Sequence, residues 1–432
     1  MILRTLENSY GHNISGFEWL GVLKKINKIF DESEEYFEKG PGKIGTPMDL
    51  SHDSFHNVAV EGMDVADAWM VTPESSRKIV DSLDEKEKKD GFLNIASEPF
   101  SRNAYRVLNP NAKPDYYGFS SVDWLGYHAK ESGVENAIIW LGANNALSTV
   151  LSLKIKLTPG GGVTVNEADL KKRRQWNLWH PTDFKAEYAT LLDKTIDAME
   201  GNKCSDWNCF IGTVPLVTIA PIIKGVGEKR MVEDPAGSGR QYRYYQYYTH
   251  FPFSKKTALK TGRYLKFRDA LFIDKTIIKF NEIIKQLISK KNTELGRKAF
   301  HIVDISDSLT QMAWKRNSGN PTYSFPKYFE YKYPPVDTKY YHCDKYGNIE
   351  KGGVFSLDGV HPSAIGQGLI AWEFLKKMKE VSSVPKEAEI NWETIFANDT
   401  LWQNPITLMQ EIYQHDKLIQ LIADTCSFIG RK

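Results

Sequence analysis

Cysteine is scarce in this chain of 432 residues, with only Cys204, Cys209, Cys343 and Cys426 present. No CxxC pair occurs, so nothing in the spacing points to a zinc site. Cys204 and Cys209 are close enough for a small loop disulfide if the protein is exported, with idle thiols as the plainer reading. Net charge is also small. The 56 basic and 54 acidic residues leave +2, too little to hold a nucleic acid or an anionic membrane by field alone. The basic run from Lys171 to Arg174 reads as a solvated face. No apolar run reaches the ~18 residues of a membrane helix. The longest, Phe210 to Ile223, is interrupted by Thr213, Pro215, Thr218 and Pro221. Residues 1–30 show no basic start followed by an apolar run, so no signal peptide is visible, and the compartment stays open. No repeat of 20–50 residues is found.

What is present is a chain of ordinary core-forming composition, 41% hydrophobic and 25% charged. Short apolar runs alternate with helical periodicity. The runs are Val58 to Val60, Ala137 to Leu141, Phe210 to Ile219 and Phe300 to Ile305. The helical stretches are Gly16 to Phe30, Ala186 to Met199, Ile273 to Lys290 and Ala364 to Lys379. Such alternation predicts a parallel sheet covered by helices. Residues 150–185, 224–262 and 316–352 are too long for simple loops and read as ordered insertions. The stretch Tyr242 to Phe253 is the densest aromatic patch; it serves either to stack on sugars or line an acyl cleft, or as core of its own insertion. Residues 1–380 are expected to form one α/β domain, and 381–432 a helical extension in which Pro405 to Ile422 carries helical spacing.

Three segments carry chemistry. Asp358-Gly359-Val360-His361-Pro362 sets a carboxylate three residues from an imidazole on a proline-pinned turn, the orienter and base of a nucleophilic triad. The bland alternative has Asp358 capping the next helix and His361 incidental. Gly142-Ala143-Asn144-Asn145 follows an apolar run, and an amide at a strand end suits an oxyanion; a plain turn is the alternative. Asn57 to Gly62 is a short apolar run ending in glycine, which lets a backbone N–H approach a substrate closely.

In this order the three segments resemble the blocks of the SGNH (GDSL-type) hydrolases, a superfamily of esterases and lipases. Asn57-x-x-x-x-Gly62 looks like the second block, Gly142 to Asn145 is similar to the GxND block with Asn at its last position, and Asp358 to Pro362 matches DxxHP. Val214 to Thr218, Phe280-Asn281 and Val303-Asp304 resemble the elements between them. The resemblance implies a flavodoxin-like three-layer α/β/α fold with a parallel sheet, and hydrolysis of carboxylic esters through an acyl-enzyme. It implies Asp358 and His361 as triad members, Gly62 and Asn144 as the oxyanion hole, and no metal or cofactor. The partner implied is a small-molecule, carbohydrate or lipid ester. An O-acyl carbohydrate is favoured over a lipid, since no segment looks built for a lipid surface.

The chain departs from the family in its first block, because no Gly-Asp-Ser occurs. Glu7-Asn8-Ser9 after the short strand-like start Ile2 to Leu6 is the closest match and makes Ser9 the candidate nucleophile. The alternatives are a nucleophile upstream of Met1, or a binding protein on the same scaffold. Ser306-Asp307-Ser308-Leu309 contains a literal Asp-Ser-Leu but falls after the Asn block, so Ser308 reads as a polar strand exit. Gly40 to Gly45 fits GxGxxG without a preceding strand and reads as a loop. His52 and His56 flank the second block and read as loop residues.

Overall fold

A computed structural model describes residues 51, 53–83, 98–251, 253–332, 335–339, 341–343, 349–356 and 358–403. Ser9, His52, the Gly40 to Gly45 segment, the Ile2 to Leu6 run and the expected helices at 16–30 and 405–422 lie outside them. The chain forms two compact units, Met1–Glu135 with Glu187–Trp207, and Asn136–Ala186 with Asn208–Lys432. The described residues are mixed α/β, with thirteen α-helices and a three-stranded parallel sheet.

The smaller unit holds α1 (Asp67–Met70), α2 (Pro73–Asp81), α3 (Pro99–Leu108) and α4 (Ser121–Glu131). Capping boxes start two of these helices. Thr72 and Ser75 form a reciprocal capping box before α2, with Pro73 in its first turn, and Ser120 and Asp123 form another before α4. Trp124 of α4 is fully buried and donates its indole N–H to the Leu108 carbonyl at 2.7 Å, so its one polar atom is satisfied. Val58 to Val60 do not form the expected strand. They belong to no ladder among the described residues; Ser121 of α4 donates to the Val58 carbonyl, and the neighbouring Asn57 accepts from the Ala59 N–H.

The larger unit carries β1 (Asn136–Ile139), followed by α5 (Asn144–Ser152), α6 (Leu170–Arg173) and the start of α7 (Pro181–Ala198). The chain returns to it at β2 (Asn208–Gly212), then forms the hairpin β3 (Ile223–Glu233) and β4 (Gln241–His250). After α8 (Lys255–Thr261) and β5 (Leu265–Lys266) come the long α9 (Phe267–Glu294), β6 (Phe300–Val303) and α10 (Ile305–Met312). A small ribbon of β7 (Tyr341–Cys343) and β8 (Ile349–Gly352) precedes α11 (Ala364–Glu380), α12 (Trp392–Asn398) and α13 (Thr400–Gln403).

The parallel sheet has the order β1-β2-β6, in register Ile138↔Phe210↔His301. Its central strand is buried from Cys209 to Gly212, as a parallel strand covered on both faces requires. The apolar run ends as a strand at Gly212, well before Ile219: the Val214 N–H turns to the Asn281 side chain, and Pro215 has no N–H to offer a ladder. Gly212 itself has no room for a Cβ, which would lie 2.4 Å from the Trp140 ring. Cys204 and Cys209 are both free; Cys209 sits in the sheet, and burial pushes its thiol up. Arg173 departs from the solvated reading of the basic run: it is 2% exposed and bonds the Thr164 carbonyl at 2.8 Å.

The insertion at 224–262 is the β3–β4 hairpin with α8. Of the two readings of its aromatics, core is the one observed for most: Tyr242, Tyr244, Tyr245, Tyr248 and Phe253 are buried. Tyr244 donates to Asp274 of α9 at 2.7 Å. Arg316 lies 2.9 Å from the same carboxylate, stacks 4.0 Å over the Tyr244 ring and bonds Thr218, and neither Arg316 nor Asp274 is exposed. Thr218 also donates to Asp274 at 2.6 Å. One buried ion pair thus ties the hairpin, α9 and the segment leaving β2.

Arg316→Met is expected to destabilise the chain by about 3–5 kcal/mol, because it strands the Asp274 charge in the interior. Urea unfolding measures it, and Arg316→Met with Asp274→Leu is expected to lose clearly less than the single change.

Candidate active site around Asp358 and His361

The loop after β8 is built by its own backbone. The Ser356 N–H donates to the His361 carbonyl at 2.7 Å and the Gly359 N–H to the Ser356 carbonyl at 3.0 Å. Gly359 takes a positive φ of 68°, the left-handed turn conformation that glycine adopts without strain. Its carbonyl accepts from the Ile222 N–H at 3.0 Å, which fastens the loop to the segment leaving β2. On the far side, Ser363 caps α11 by accepting from Gly366 and bonds the Gly353 carbonyl. A Cβ at Gly366 would lie 2.2 Å from the Val354 carbonyl oxygen, so this helix start tolerates only glycine at that position.

Within that frame Asp358 faces His361. Oδ2 lies 2.5 Å from His361 Nδ1. Oδ1 accepts three bonds, from the Val360 N–H at 2.7 Å, the His361 N–H at 2.9 Å and the Ser356 hydroxyl at 2.8 Å. Partial burial pushes this carboxyl up, but the bonds from the His361 ring, the two N–H groups and Ser356 outweigh it and hold it below the ordinary carboxylate range. Asp358 is therefore ionised near neutrality and only accepts hydrogen bonds, so the His361 ring carries its proton on Nδ1 and Nε2 is the basic nitrogen of the neutral ring. Both side chains remain about half exposed, 46% and 48%. The capping alternative is not observed, since Ser363 and not Asp358 caps α11.

Asn144 opens α5 at the carboxyl end of β1, as expected for the Asn block. The turn before it needs Gly142, whose φ is +114° and whose Cβ would lie 2.6 Å from Val214. Asn145 is buried, and its carbonyl accepts from the Trp179 N–H at 3.0 Å, a framework role. Gly62, in the smaller unit, is exposed at a turn with φ +91°, after which Asp64 and Asp67 bond each other's backbone to start α1. Ser9 lies outside the described residues. Ser308 is buried inside α10, not at a strand exit, and its N–H bonds the Asp304 carbonyl. His56 is exposed and stacks on His128 at 4.7 Å.

Two contributors had no role in the sequence reading. Ser356 adds a hydroxyl to the Asp358 carboxylate, a pattern readable as a hydroxyl two residues before an acid. Ile222 anchors the loop through backbone alone and leaves no sequence signal. Comparison with protein-family models, curated proteins and solved structures gives no match.

The Asp358 pair makes a pH prediction. A carboxyl held low in the folded state stabilises it fully above the unfolded value of about 4 and progressively less as pH falls through the folded one. The neutral His361 ring is expected to be the Nδ1–H tautomer in ¹⁵N NMR. Asp358→Asn is expected to release that preference, because an amide also offers a donor to the ring.

Proposed function

We propose that the protein is a serine esterase acting on carboxylic esters, with His361 as general base and Asp358 as its orienter. The observation that carries this reading is the 2.5 Å contact between Asp358 and His361 Nδ1, made by a carboxylate whose other oxygen accepts three further bonds. Such an acid stays ionised, fixes the tautomer and stabilises the imidazolium that forms when Nε2 takes a proton. A turn of this kind before an apolar helix also suits the flavodoxin-like three-layer fold that the resemblance implies.

The chemistry follows the triad logic. The serine oxygen adds to the acyl carbon while its proton passes to His361 Nε2. The carbonyl oxygen takes the negative charge, and collapse of the tetrahedral species expels the alkoxide, which receives the proton from His361. Water then repeats the addition on the acyl-enzyme, and the acid leaves. Sequence motifs alone assign the serine to Ser9 and the oxyanion donors to the Gly62 N–H and the Asn144 side chain. The preferred substrate class is an O-acyl carbohydrate.

Hydrolysis of a short-chain chromogenic acetate ester tests this. His361→Ala and Ser9→Ala are each expected to lower kcat/KM by about three orders of magnitude or more, and Asp358→Asn by a comparable factor. A serine-directed phosphonate is expected to label Ser9. Undiminished hydrolysis by His361→Ala, or none by the parent chain across several acyl lengths, overturns the reading, and the latter outcome favours a binding protein.

A further inference from the structure

A cleft of about 650 Å³ opens in the larger unit along the last turns of α9, the turn at Gly296 to Lys298, strand β6 and Lys377 of α11. Its cationic lining is Lys285, Arg297, Lys298 and Lys377, and no acidic side chain lines it. Lys285 is answered from outside the lining by Asp304 at 3.0 Å and Lys377 by Glu380, and Arg297 has interactions of its own. Lys298 is exposed and makes no ion pair among the described residues. The cleft therefore keeps a positive potential in a concave setting, where field lines concentrate.

His301 supplies a second, independent observation. It lines the cleft, is 4% exposed, and sets Nε2 2.9 Å from the Asn208 side-chain oxygen. Its Nδ1 is buried with no hydrogen-bond partner. Burial holds this imidazole below the usual histidine range, and Lys298, Lys377 and Arg297 lower it further against the opposing charge of Glu380. Basic residues after a helix complement the negative end of its dipole, which accounts for Arg297 and Lys298 singly. Lys377, in the last turn of α11, complements that helix end in the same way; what no helix end accounts for is the meeting of these cations in one cleft beside a buried imidazole with an unmatched nitrogen.

We propose that this cleft binds one tetrahedral oxyanion of sulfate or phosphate type, held by Lys298, Arg297 and Lys377, with His301 responding to its charge. Asp358 and His361 take no part, so the site stands or falls apart from the esterase reading. An anion there offsets the cations that depress His301 and raises the proton affinity of the ring. Binding then takes up a proton, and affinity rises as pH falls through the His301 range.

Inorganic sulfate, fully ionised throughout, is the probe, titrated calorimetrically into the full chain between pH 8 and pH 6. The expected result is saturable one-to-one binding that tightens toward pH 6. Lys298→Gln and Arg297→Gln are each expected to weaken it roughly tenfold, the loss of one charge-assisted contact. The control Lys171→Gln, on the exposed face of α6, is expected to leave it unchanged. The His301 ring signals in NMR are expected to move to a higher titration midpoint with sulfate. Dextran sulfate separates the sources: displacement of sulfate at much lower group concentration marks a polymer-borne sulfate ester, and parity per group marks a small free anion. Non-saturable binding, equal weakening in Lys171→Gln, or a His301 midpoint that ignores sulfate overturns the proposal and leaves these cations as complements of a helix end.

Discussion

The larger unit is organised around a charge pair that has no contact with water. Arg316 and Asp274 are both fully buried at 2.9 Å. A buried pair is costly unless its remaining donors and acceptors are met; here Tyr244, Tyr248 and Thr218 meet most of them, and the Arg316 Nε–H is left without a partner. Burial opposes the Arg316 charge, yet Tyr248, Tyr244 and Asp274 together hold the guanidinium firmly protonated. Beside it Lys315 is driven the other way, well below the usual lysine range, by burial and by the Arg316 charge. It spends its amine on the Ala220 and Ile223 carbonyls, at 2.7 and 2.5 Å. Two neighbouring basic residues thus have opposite fates, decided by which one has the carboxylate.

These bonds converge on the segment that leaves β2. Asn281 of α9 exchanges both side-chain atoms with the backbone of Val214, Thr213 donates to Asp304, and Trp140 donates to the Thr213 carbonyl. The Ile222 N–H at its end holds the Gly359 carbonyl. The Asp358–His361 loop is therefore referred to the sheet through a chain of short bonds, although its own side chains are half exposed. Pre-organisation of this kind is what an imidazole needs if it is to accept a proton without reorganising its surroundings.

The readable part of the site was the local part. Asp358 and His361 meet because three residues and a proline-pinned turn bring them together, and a contact within one turn is written in consecutive residues. The glycine at Gly142 was legible for the same reason, a strand end whose next step needs positive φ. Val58 to Val60 show the limit. An apolar triplet has strand propensity, but a strand exists only where a ladder partner stands beside it, and propensity cannot name that partner. Ser308 is similar: a tripeptide matching a known motif lies inside a helix, because the side chains around it are chosen by packing.

By itself the sequence determined the bodies of the helices at 186–199, 273–290 and 364–379, of which the first two begin earlier, at Pro181 and Phe267, together with the central apolar strands, the lack of a long apolar run, and the Asp358–His361 turn. Each depends on contacts within a few residues, where covalent geometry limits the outcomes. Tertiary structure alone decided that the tyrosines of β4 are mostly core, that Arg173 is buried while its neighbours are not, and that Arg316 keeps its charge while Lys315 is driven toward the neutral amine. It also decided that His301 shares a cleft with cations from two other elements. Burial and field at a side chain are set by groups far away in the chain, and no window of sequence contains them.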